Sequence, residues 1–318
     1  MAKTKNPLPQ TSTTPHHRDK RNRREILLKI HRQKLFLTEK HNFYAFPEVY
    51  AGQSAQLCSR FLKQPLYMTK IAIITGGSRG LGKDMAMALA ERGMDVILTF
   101  AAQAVSAAEV VRDIEALGRK AVALPLDLLQ MNGIDVFIGQ LHEVLGEKFE
   151  GRKPDFLINN AGMGATIPMH QATEQQFDDF LQVHFKGVFF LTQKLLPILN
   201  DGGGIVNIST GTTRFCNPGY SIYASMKGAV EVLTRYVAKE YGHRGIRANV
   251  VAPGPVETDF NNAAIRANPQ LKERLASLSP LGRVGQADDI GGVVAFLCSD
   301  DAKWVNGQRI EVAGGINV

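Results

Sequence analysis

A tyrosine and a lysine four residues apart form the pair with the clearest chemical potential in this sequence. Tyr223 and Lys227 lie in the segment Tyr-Ala-Ser-Met-Lys, which opens an amphipathic run to Tyr241. On a helix, side chains at positions i and i+4 lie on one face. A phenol has an ordinary pKa of about 10, so a nearby ammonium that favours the phenolate would suit acid–base chemistry near neutral pH. The alternative is a surface pair, which is common at this spacing.

A glycine-rich turn further upstream predicts a phosphate site. The run Lys70–Thr75 is apolar and β-branched, as in a buried parallel strand, and Lys83–Arg92 is rich in Ala, Met and Leu, as in a helix. The turn Gly-Gly-Ser-Arg-Gly-Leu-Gly lies between them. Its glycines let the backbone approach a pyrophosphate, and the helix N-terminus offers free N–H groups to that ligand.

Two kinds of phosphate-binding loop compete for this turn. The stretch from Gly77 to Lys83 begins like a Walker A loop, which needs Ser or Thr next to hold magnesium, but residue 84 is Asp. A nucleotide triphosphatase is therefore disfavoured. The strict G-x-G-x-x-G fingerprint is not matched either. The turn instead fits T-G-x-x-x-G-x-G, from Thr75 to Gly82.

The elements that must position these residues alternate between strand and helix patterns. Further strands are predicted at Asp95–Phe100, Ala121–Leu126, Asp155–Ile158 and Gly204–Ile208, and Ser106–Gly118 has helical spacing. This alternation predicts an α/β fold, a single Rossmann-type doubly wound parallel sheet with helices on both faces. Ligands of such sheets bind outside the carboxyl ends of the strands.

The excess positive charge lies outside the predicted catalytic domain, which spans residues 69–318. Residues 1–68 hold 13 Lys and Arg against 4 Asp and Glu, whereas residues 69–318 hold 24 against 26. The nearly neutral domain is not expected to bind nucleic acid. We interpret residues 1–68 as a basic extension, disordered or outside the functional domain, with a short helix around residues 25–37. A transit peptide and a basic arm for nucleic acid or lipid are the alternatives.

Cysteine usage and hydropathy exclude other classes of protein. Cys58, Cys216 and Cys298 are widely spaced and form no C-x-x-C pair, so no zinc or other metal site is predicted. We expect a reducing, cytoplasmic compartment. The apolar run Val96–Ala108, which carries no charge, is shorter than the roughly eighteen residues that cross a bilayer, so no membrane partner is expected.

Three motifs together resemble the short-chain dehydrogenase/reductase family, over about residues 69–318. They are the turn that ends at Gly82, the stretch Asn-Asn-Ala-Gly ending at Gly162, and the pair Tyr223 and Lys227. The resemblance implies an NAD(P)-dependent oxidoreductase that transfers a hydride between nicotinamide and a carbonyl or secondary alcohol substrate. Tyr223 would then exchange the proton, while Lys227 orients the ribose and lowers the tyrosine pKa. A non-catalytic NADP-binding sensor or scaffold is the alternative.

Two catalytic positions depart from the residues that are usual in this family. The resemblance places a carbonyl-polarising hydroxyl about thirteen residues before the tyrosine, which selects Thr210 where serine is usual and leaves Ser209 in reserve. His184 stands where the family often has an asparagine that holds a water in the proton relay. Imidazole can relay a proton near neutral pH. A packed helix residue is the alternative role for His184.

The resemblance also implies which residues border the cofactor. NADP is favoured over NAD, which remains the alternative, because the strand Asp95–Phe100 ends without an acid for the ribose 2′-OH, while Arg79 could pair with a 2′-phosphate. In the family, Asp127 contacts the adenine and the Pro-Gly turn borders the nicotinamide amide. The implied cofactor-binding residues are Gly76, Ser78, Arg79, Gly80, Leu81, Gly82, Asp127, Leu128, Asn160, Ala161, Gly162, Tyr223, Lys227, Pro253, Gly254, Val256 and Thr258.

Substrate choice and assembly are expected to depend on more variable segments. We expect the substrate, a small carbonyl or alcohol compound, to be selected by residues 212–219 and 259–281, with Phe215 and Phe260 as an apolar wall. By analogy with the family, the chain would form a homodimer or homotetramer, and the tail Ile310–Val318 would join its interface.

Overall fold

Seven parallel strands form one sheet in this structure, a computed structural model that describes residues 69–316 and 318. The predicted extension, with its helix around residues 25–37, lies outside the described residues. The strand order is β3-β2-β1-β4-β5-β6-β7. The strands are β1 (Ile71–Ile74), β2 (Asp95–Phe100), β3 (Ala121–Pro125), β4 (Phe156–Asn159), β5 (Gly204–Ile208), β6 (Arg247–Pro253) and β7 (Arg309–Val312).

Helices cover both faces of this sheet, which confirms the predicted doubly wound α/β architecture. Successive residues of a strand point to opposite faces. In β1, Ala72 and Ile74 therefore pack into one core, and Ile71 and Ile73 into the other. The helices are α1 (Gly80–Glu91), α2 (Ala104–Ala116), α3 (Asn132–Lys148), α4 (Glu174–Leu181), α5 (Gly187–Leu195), α6 (Ser221–Glu240), α7 (Phe260–Ala267), α8 (Pro269–Ser277) and α9 (Asp288–Leu297).

The boundaries of several elements differ from the sequence prediction. Helix α1 begins at Gly80 instead of Lys83, because part of the glycine turn itself forms its first turn. Strand β4 begins one residue later than predicted. Asp155 still joins the neighbouring strand, since its N–H donates to the carbonyl oxygen of Ile71 at 2.8 Å and its carboxylate accepts the N–H of Ile71 at 2.7 Å.

Two irregular segments border the carboxyl ends of the strands. One π-helical turn, Gln182–Lys186, separates α4 from α5 and carries His184. Within α7, three successive residues, Asn261, Asn262 and Ala263, have φ between 53° and 56°. Left-handed conformations are costly for alanine and less so for asparagine. The chain therefore bends sharply directly after Phe260.

Candidate active site

Tyr223, Thr210 and Lys227 come together where β5 meets the start of α6. The tyrosine side chain is half-buried, and the Thr210 side chain lies close enough to its hydroxyl to favour the phenolate form. Lys227 is 3% exposed, and its Nζ lies 5.9 Å from the centre of the tyrosine ring. The ammonium also donates to the carbonyl oxygen of Ile208, 2.8 Å away, at the end of β5. A buried cation and two hydroxyls thus share one small volume.

Burial controls the protonation of both groups. It raises the pKa of Tyr223 above its ordinary value, and the nearby Thr210 hydroxyl offsets this only in part. Burial lowers the pKa of Lys227 to about 8. Among the protein groups, the cost of burying a phenolate is the largest effect on the pKa of Tyr223. Tyr223 keeps its proton at neutral pH and is suited to donate it.

The two hydroxyl candidates before the tyrosine point in different directions. Ser209 is 3% exposed, and its hydroxyl donates to a carboxylate oxygen of Glu231 at 2.6 Å. The Thr210 backbone is extended, so its side chain points away from that of Ser209 and towards Tyr223. The structure therefore favours Thr210 as the hydroxyl that faces the reaction.

His184 is completely buried beneath the tyrosine. Its ring lies edge-on to that of Tyr223, with 5.0 Å between the centroids, and its Nε2 lies 2.8 Å from the carbonyl oxygen of Met163. Burial, together with the charge of Lys227, holds the pKa of His184 well below its ordinary value. Among the described residues, Nδ1 has no hydrogen-bond partner. Of the two roles left open by the sequence, the geometry favours the packed residue over the proton relay.

The glycine turn is held open by the stretch that follows β4. The side-chain amide of Asn160 donates to the carbonyl oxygens of Thr75, at 2.9 Å, and Gly76, at 3.1 Å. The hydroxyl oxygen of Thr75 accepts hydrogen bonds from the N–H groups of Asn160 and Ala161, each at 2.9 Å. A Cβ on Gly82 would lie 2.0 Å from the carbonyl oxygen of Gly76, so no larger residue fits there.

The start of α1 fits the phosphates of a dinucleotide. The first N–H groups of a helix have no partner within it. Arg79 precedes α1 and makes no side-chain hydrogen bond to these groups. Gly76 and Gly80 both have positive φ, at 66° and 53°, which turns the backbone into the tight loop that such a ligand needs. Ser78 is buried within the same loop, and Leu81 packs against the core beside α1.

The implied adenine contacts follow β3. A carboxylate oxygen of Asp127 accepts the N–H of Leu129 at 3.0 Å, which closes a short turn after the strand. The side chain of Leu128 is buried in the core beside Gly187, so it offers only its backbone to a ligand. The stretch that ends at Gly162 lies against His184, since a Cβ at Gly162 would come within 2.9 Å of the imidazole.

The Pro-Gly turn after β6 completes this edge of the sheet. Pro253 is the last residue of β6, and the N–H of Gly254 bonds to the carbonyl oxygen of Val312 at 3.0 Å. Val256 forms an isolated parallel bridge with Gly285. The buried Thr258 lies beside the glycine turn. A Cβ added to Gly80 would come within 3.6 Å of the Thr258 Cβ. The implied cofactor residues therefore follow the carboxyl ends of β1, β3, β4 and β6, which lie at the same edge of one parallel sheet.

The segment 259–281, which was expected to select the substrate, covers the tyrosine. The Phe260 ring lies 5.9 Å from that of Tyr223 and packs closely on Gly164. The side-chain amide of Asn261 donates to the hydroxyl of Tyr220 at 3.1 Å. Phe215, the other residue of the expected apolar wall, lies under the guanidinium of Arg214, 5.1 Å from it.

Several supporting residues were not singled out by sequence reasoning. The amide of Asn159 donates to Asn207 at 2.8 Å and to Thr192 at 3.1 Å, and Asn207 donates to Thr234 at 2.8 Å. Asparagine inside an otherwise apolar strand is a signal that could have indicated this buried network. Glu231 and Arg309, which bond around Thr210, carry no comparable local signal.

Residues 69–316 lack two other kinds of feature, a metal-binding cluster and a membrane-spanning helix. Over this range, no group of three or more His, Cys, Asp or Glu side chains could hold a metal ion. None of the helices described there is both long and apolar enough to cross a bilayer.

Comparison with known proteins agrees with this geometry. The family model described as enoyl-(acyl carrier protein) reductase matches residues 76–317. The chain is 36% identical to 3-oxoacyl-(acyl-carrier-protein) reductase FabG of Staphylococcus aureus, over 78% of this chain and 98% of that one. It is 34% identical to a hydroxynaphthalene reductase of Aspergillus fumigatus, over 75% of this chain and 89% of that one.

Solved structures give the same result. An angucycline C-6 ketoreductase, LanV, solved with bound NADP, superposes with a TM-score of 0.75 at 36% identity. That match covers 78% of this chain and 96% of the ketoreductase. A short-chain dehydrogenase from Burkholderia cenocepacia in complex with NADP matches with a TM-score of 0.72 at 32% identity, over 79% and 99% of the two chains. The chain therefore belongs to the short-chain dehydrogenase/reductase family.

Proposed function

We propose that this protein is an NADP-dependent reductase that converts a carbonyl group into a secondary alcohol. The observation that carries the proposal is the convergence of the Tyr223 and Thr210 hydroxyls above the buried Lys227. The similarity to an NADP-bound ketoreductase and to 3-oxoacyl and hydroxynaphthalene reductases supports this direction of reaction. A non-catalytic binder would not require a proton donor and a second hydroxyl at one point.

Three side chains have separate roles at the substrate's carbonyl oxygen. When bound, NADPH supplies the electron pair and hydrogen that add to the carbonyl carbon. The Thr210 hydroxyl donates a hydrogen bond to the carbonyl oxygen and stabilises its developing negative charge. Tyr223 gives its proton to the same oxygen, which completes the alcohol. The ammonium of Lys227 would stabilise the phenolate that remains and hold ribose oxygens of the bound cofactor.

A substrate panel tests the proposed activity on the full chain. Open-chain β-ketoesters, cyclic aliphatic ketones and fused-ring aromatic ketones would each be incubated with NADPH, and loss of NADPH absorbance followed. We expect reduction of at least one class, with the secondary alcohol identified by mass spectrometry. NADPH binding without turnover of any panel member would instead support a sensor or scaffold.

Arg79 is proposed to select NADP through the 2′-phosphate. Its side chain is 59% exposed and lies 4.0 Å from the carboxylate of Asp259, at the mouth of the glycine turn. Arg79→Ala should reduce kcat/KM for NADPH about 10- to 100-fold, because it removes a charge-assisted hydrogen bond worth about 1.5–3 kcal/mol. The value for NADH should stay nearly unchanged. Steady-state kinetics with both cofactors measure this change of preference.

Arg266→Ala is the matched control for this substitution. Arg266 pairs with the same carboxylate of Asp259 at 2.9 Å, so its loss disturbs the same segment without removing the proposed phosphate ligand. We expect this variant to keep the wild-type cofactor preference. Equal losses for NADPH and NADH in Arg79→Ala would contradict the role of Arg79.

The affinity for NADPH should fall as the pH rises through about 8. Burial lowers the pKa of Lys227 to this value, so the side chain is an ammonium below it and a neutral amine above it. The ammonium binds ribose oxygens more strongly, so Kd should be constant at lower pH and rise above about 8. Fluorescence titration across this range measures Kd. This rise in Kd above about pH 8 should be absent in Lys227→Met. If the rise persists in that variant, a group other than Lys227 causes it.

Assembly and location are finer inferences from the family resemblance. We propose a homodimer or homotetramer, a cytoplasmic location and no nucleic-acid partner for residues 69–318. The near-balance of charge in that range supports the last of these.

A further inference from the structure

An ion pair behind the active site holds the segment that carries Thr210. Glu231 lies on α6, eight residues after Tyr223, and so on the same helical face as Tyr223 and Lys227. One of its carboxylate oxygens accepts three hydrogen bonds. The donors are the hydroxyl of Ser209 at 2.6 Å, the hydroxyl of Thr213 at 2.9 Å and Nε of Arg309 at 2.9 Å.

Arg309 binds the same segment from the opposite side. It is the first residue of β7, which neighbours β6 and not β5 in the sheet. Its guanidinium therefore reaches past β6 to the chain that follows β5. There Nη2 donates to the carbonyl oxygen of Thr210 at 3.0 Å and to the hydroxyl of Thr213 at 3.1 Å. Nη1 donates to Glu311 at 3.3 Å.

Such a pair is costly unless its charges are well compensated. The side chains of Glu231 and Arg309 are only 15% and 19% exposed, and taking two charges out of water is costly unless hydrogen bonds satisfy them. Buried ion pairs often add little to stability compared with apolar residues of similar volume. The contacts of this pair converge on residues 209–213, so its main effect falls on the conformation of that segment.

The contacts of Glu231 and Arg309 hold the backbone around Thr210 and do not involve its hydroxyl, which keeps its proton for another acceptor. The Thr210 carbonyl oxygen accepts from Arg309 at 3.0 Å, and it lies 3.0 Å from the Thr213 hydroxyl, whose single proton goes either to it or to Glu231. The flanking Ser209 hydroxyl is held by Glu231. Between these fixed points, the Thr210 side chain points to Tyr223. Within the segment, the Thr210 hydroxyl accepts hydrogen bonds from the N–H and the hydroxyl of Thr212, at 3.3 and 3.2 Å. These bonds belong to the single 3₁₀ turn Gly211–Thr213, which Glu231 and Arg309 hold through the Thr213 hydroxyl.

We propose that Glu231 and Arg309 are positioning residues for carbonyl reduction, which fix the Thr210 hydroxyl so that it and the Tyr223 hydroxyl meet at one substrate oxygen. The inference rests on the proposed function. Neither side chain contacts the reacting atoms, so both act through Thr210. A displacement of about 1 Å in such a group can cost about 100-fold in rate.

A double-mutant cycle between Glu231 and Thr210 tests this proposal. Glu231→Gln keeps an oxygen for the two hydroxyls but loses the charge that holds Arg309. With the best panel ketone and NADPH, we expect it to lower kcat about 10-fold or more, with KM and the NADPH Kd within about two-fold. In the Thr210→Val background, the same substitution should change kcat by less than about two-fold, because the group that it positions is gone.

Two further variants keep the cycle decisive. Glu240→Gln removes an exposed carboxylate from the same helix and should leave kcat unchanged. Arg309→Lys keeps the charge but loses the planar fork that reaches both Glu231 and Thr210. Arg309→Lys should therefore lower kcat in the wild-type background and leave it nearly unchanged in the Thr210→Val background. If Glu231→Gln does not fold, Arg309→Lys replaces it in the cycle.

The outcomes separate this inference from the proposed function. If Thr210→Val lowers kcat and Glu231→Gln costs the same factor in both backgrounds, the ion pair supports the fold in general, and the positioning role is overturned. If Thr210→Val keeps full turnover, the proposed role of Thr210 fails, and the positioning role fails with it. Wild-type kcat in Glu231→Gln and Arg309→Lys also overturns the inference.

Discussion

Tyr223→Phe is expected to lower kcat for ketone reduction about 1,000-fold, within the range of about 100- to 10,000-fold that a general acid contributes. The substitution removes only the hydroxyl that gives its proton to the substrate oxygen. The ring should stay in place, because it packs between His184, 5.0 Å away, and Phe260, 5.9 Å away. The NADPH Kd should therefore change less than about three-fold. Steady-state kinetics and fluorescence titration of the purified full chain give the two values.

Tyr220→Phe is the matched control for this loss. Tyr220 is the neighbouring tyrosine, with 6.4 Å between the two ring centres, and its hydroxyl bonds to Thr166 and Asn261. Its removal loosens the cover over the site but leaves the proposed proton donor intact. We expect kcat to fall less than about ten-fold. If Tyr220→Phe abolished turnover while Tyr223→Phe did not, Tyr223 would not be the proton donor.

Thr210→Val is expected to give the second largest loss, about 100-fold in kcat. Valine has the shape of threonine but lacks the hydroxyl that stabilises the developing charge on the carbonyl oxygen. Removing one such donor typically costs about 100- to 1,000-fold. Thr210→Ser, which restores the hydroxyl, should recover most of the activity. The comparison of kcat for the three proteins, with the NADPH Kd as evidence of folding, measures this contribution.

Ser209→Ala distinguishes the two adjacent hydroxyls. The Ser209 hydroxyl is buried and donates to Glu231 at 2.6 Å, so its loss weakens the support of the segment without removing a group that faces Tyr223. We expect a loss of less than about ten-fold in kcat. A large loss in Ser209→Ala together with normal turnover in Thr210→Val would assign the polarising role to Ser209.

The parts of the fold that sequence could predict are those set by local pattern. Strands β2 and β5 occupy the predicted residues Asp95–Phe100 and Gly204–Ile208, because a strand buried on both faces is a continuous apolar run between polar turns. The spacing of Tyr223 and Lys227 likewise depends only on the period of a helix. The glycine turn is local too, since its positive φ values require glycine at fixed positions.

The parts that sequence could not predict depend on contacts between distant residues. Adjacent residues of an extended chain point to opposite sides, so the choice between Ser209 and Thr210 depends on what lies on each side. The Ser209 hydroxyl points to Glu231, so Thr210 is the residue that points to Tyr223. Arg309, the partner of Glu231, lies 78 residues further along the chain. The raised pKa of Tyr223 is also a tertiary effect, because burial by packed neighbours outweighs what its own helix supplies.

A crystal structure of the complex with NADP and a ketone that binds without turnover tests the central claim most directly. The account predicts that Oη of Tyr223 and Oγ1 of Thr210 both lie within about 3 Å of the ketone oxygen, with the ketone carbon facing the nicotinamide. A complex in which the ketone oxygen is bound by other groups, while the tyrosine hydroxyl bonds only to protein, would contradict it.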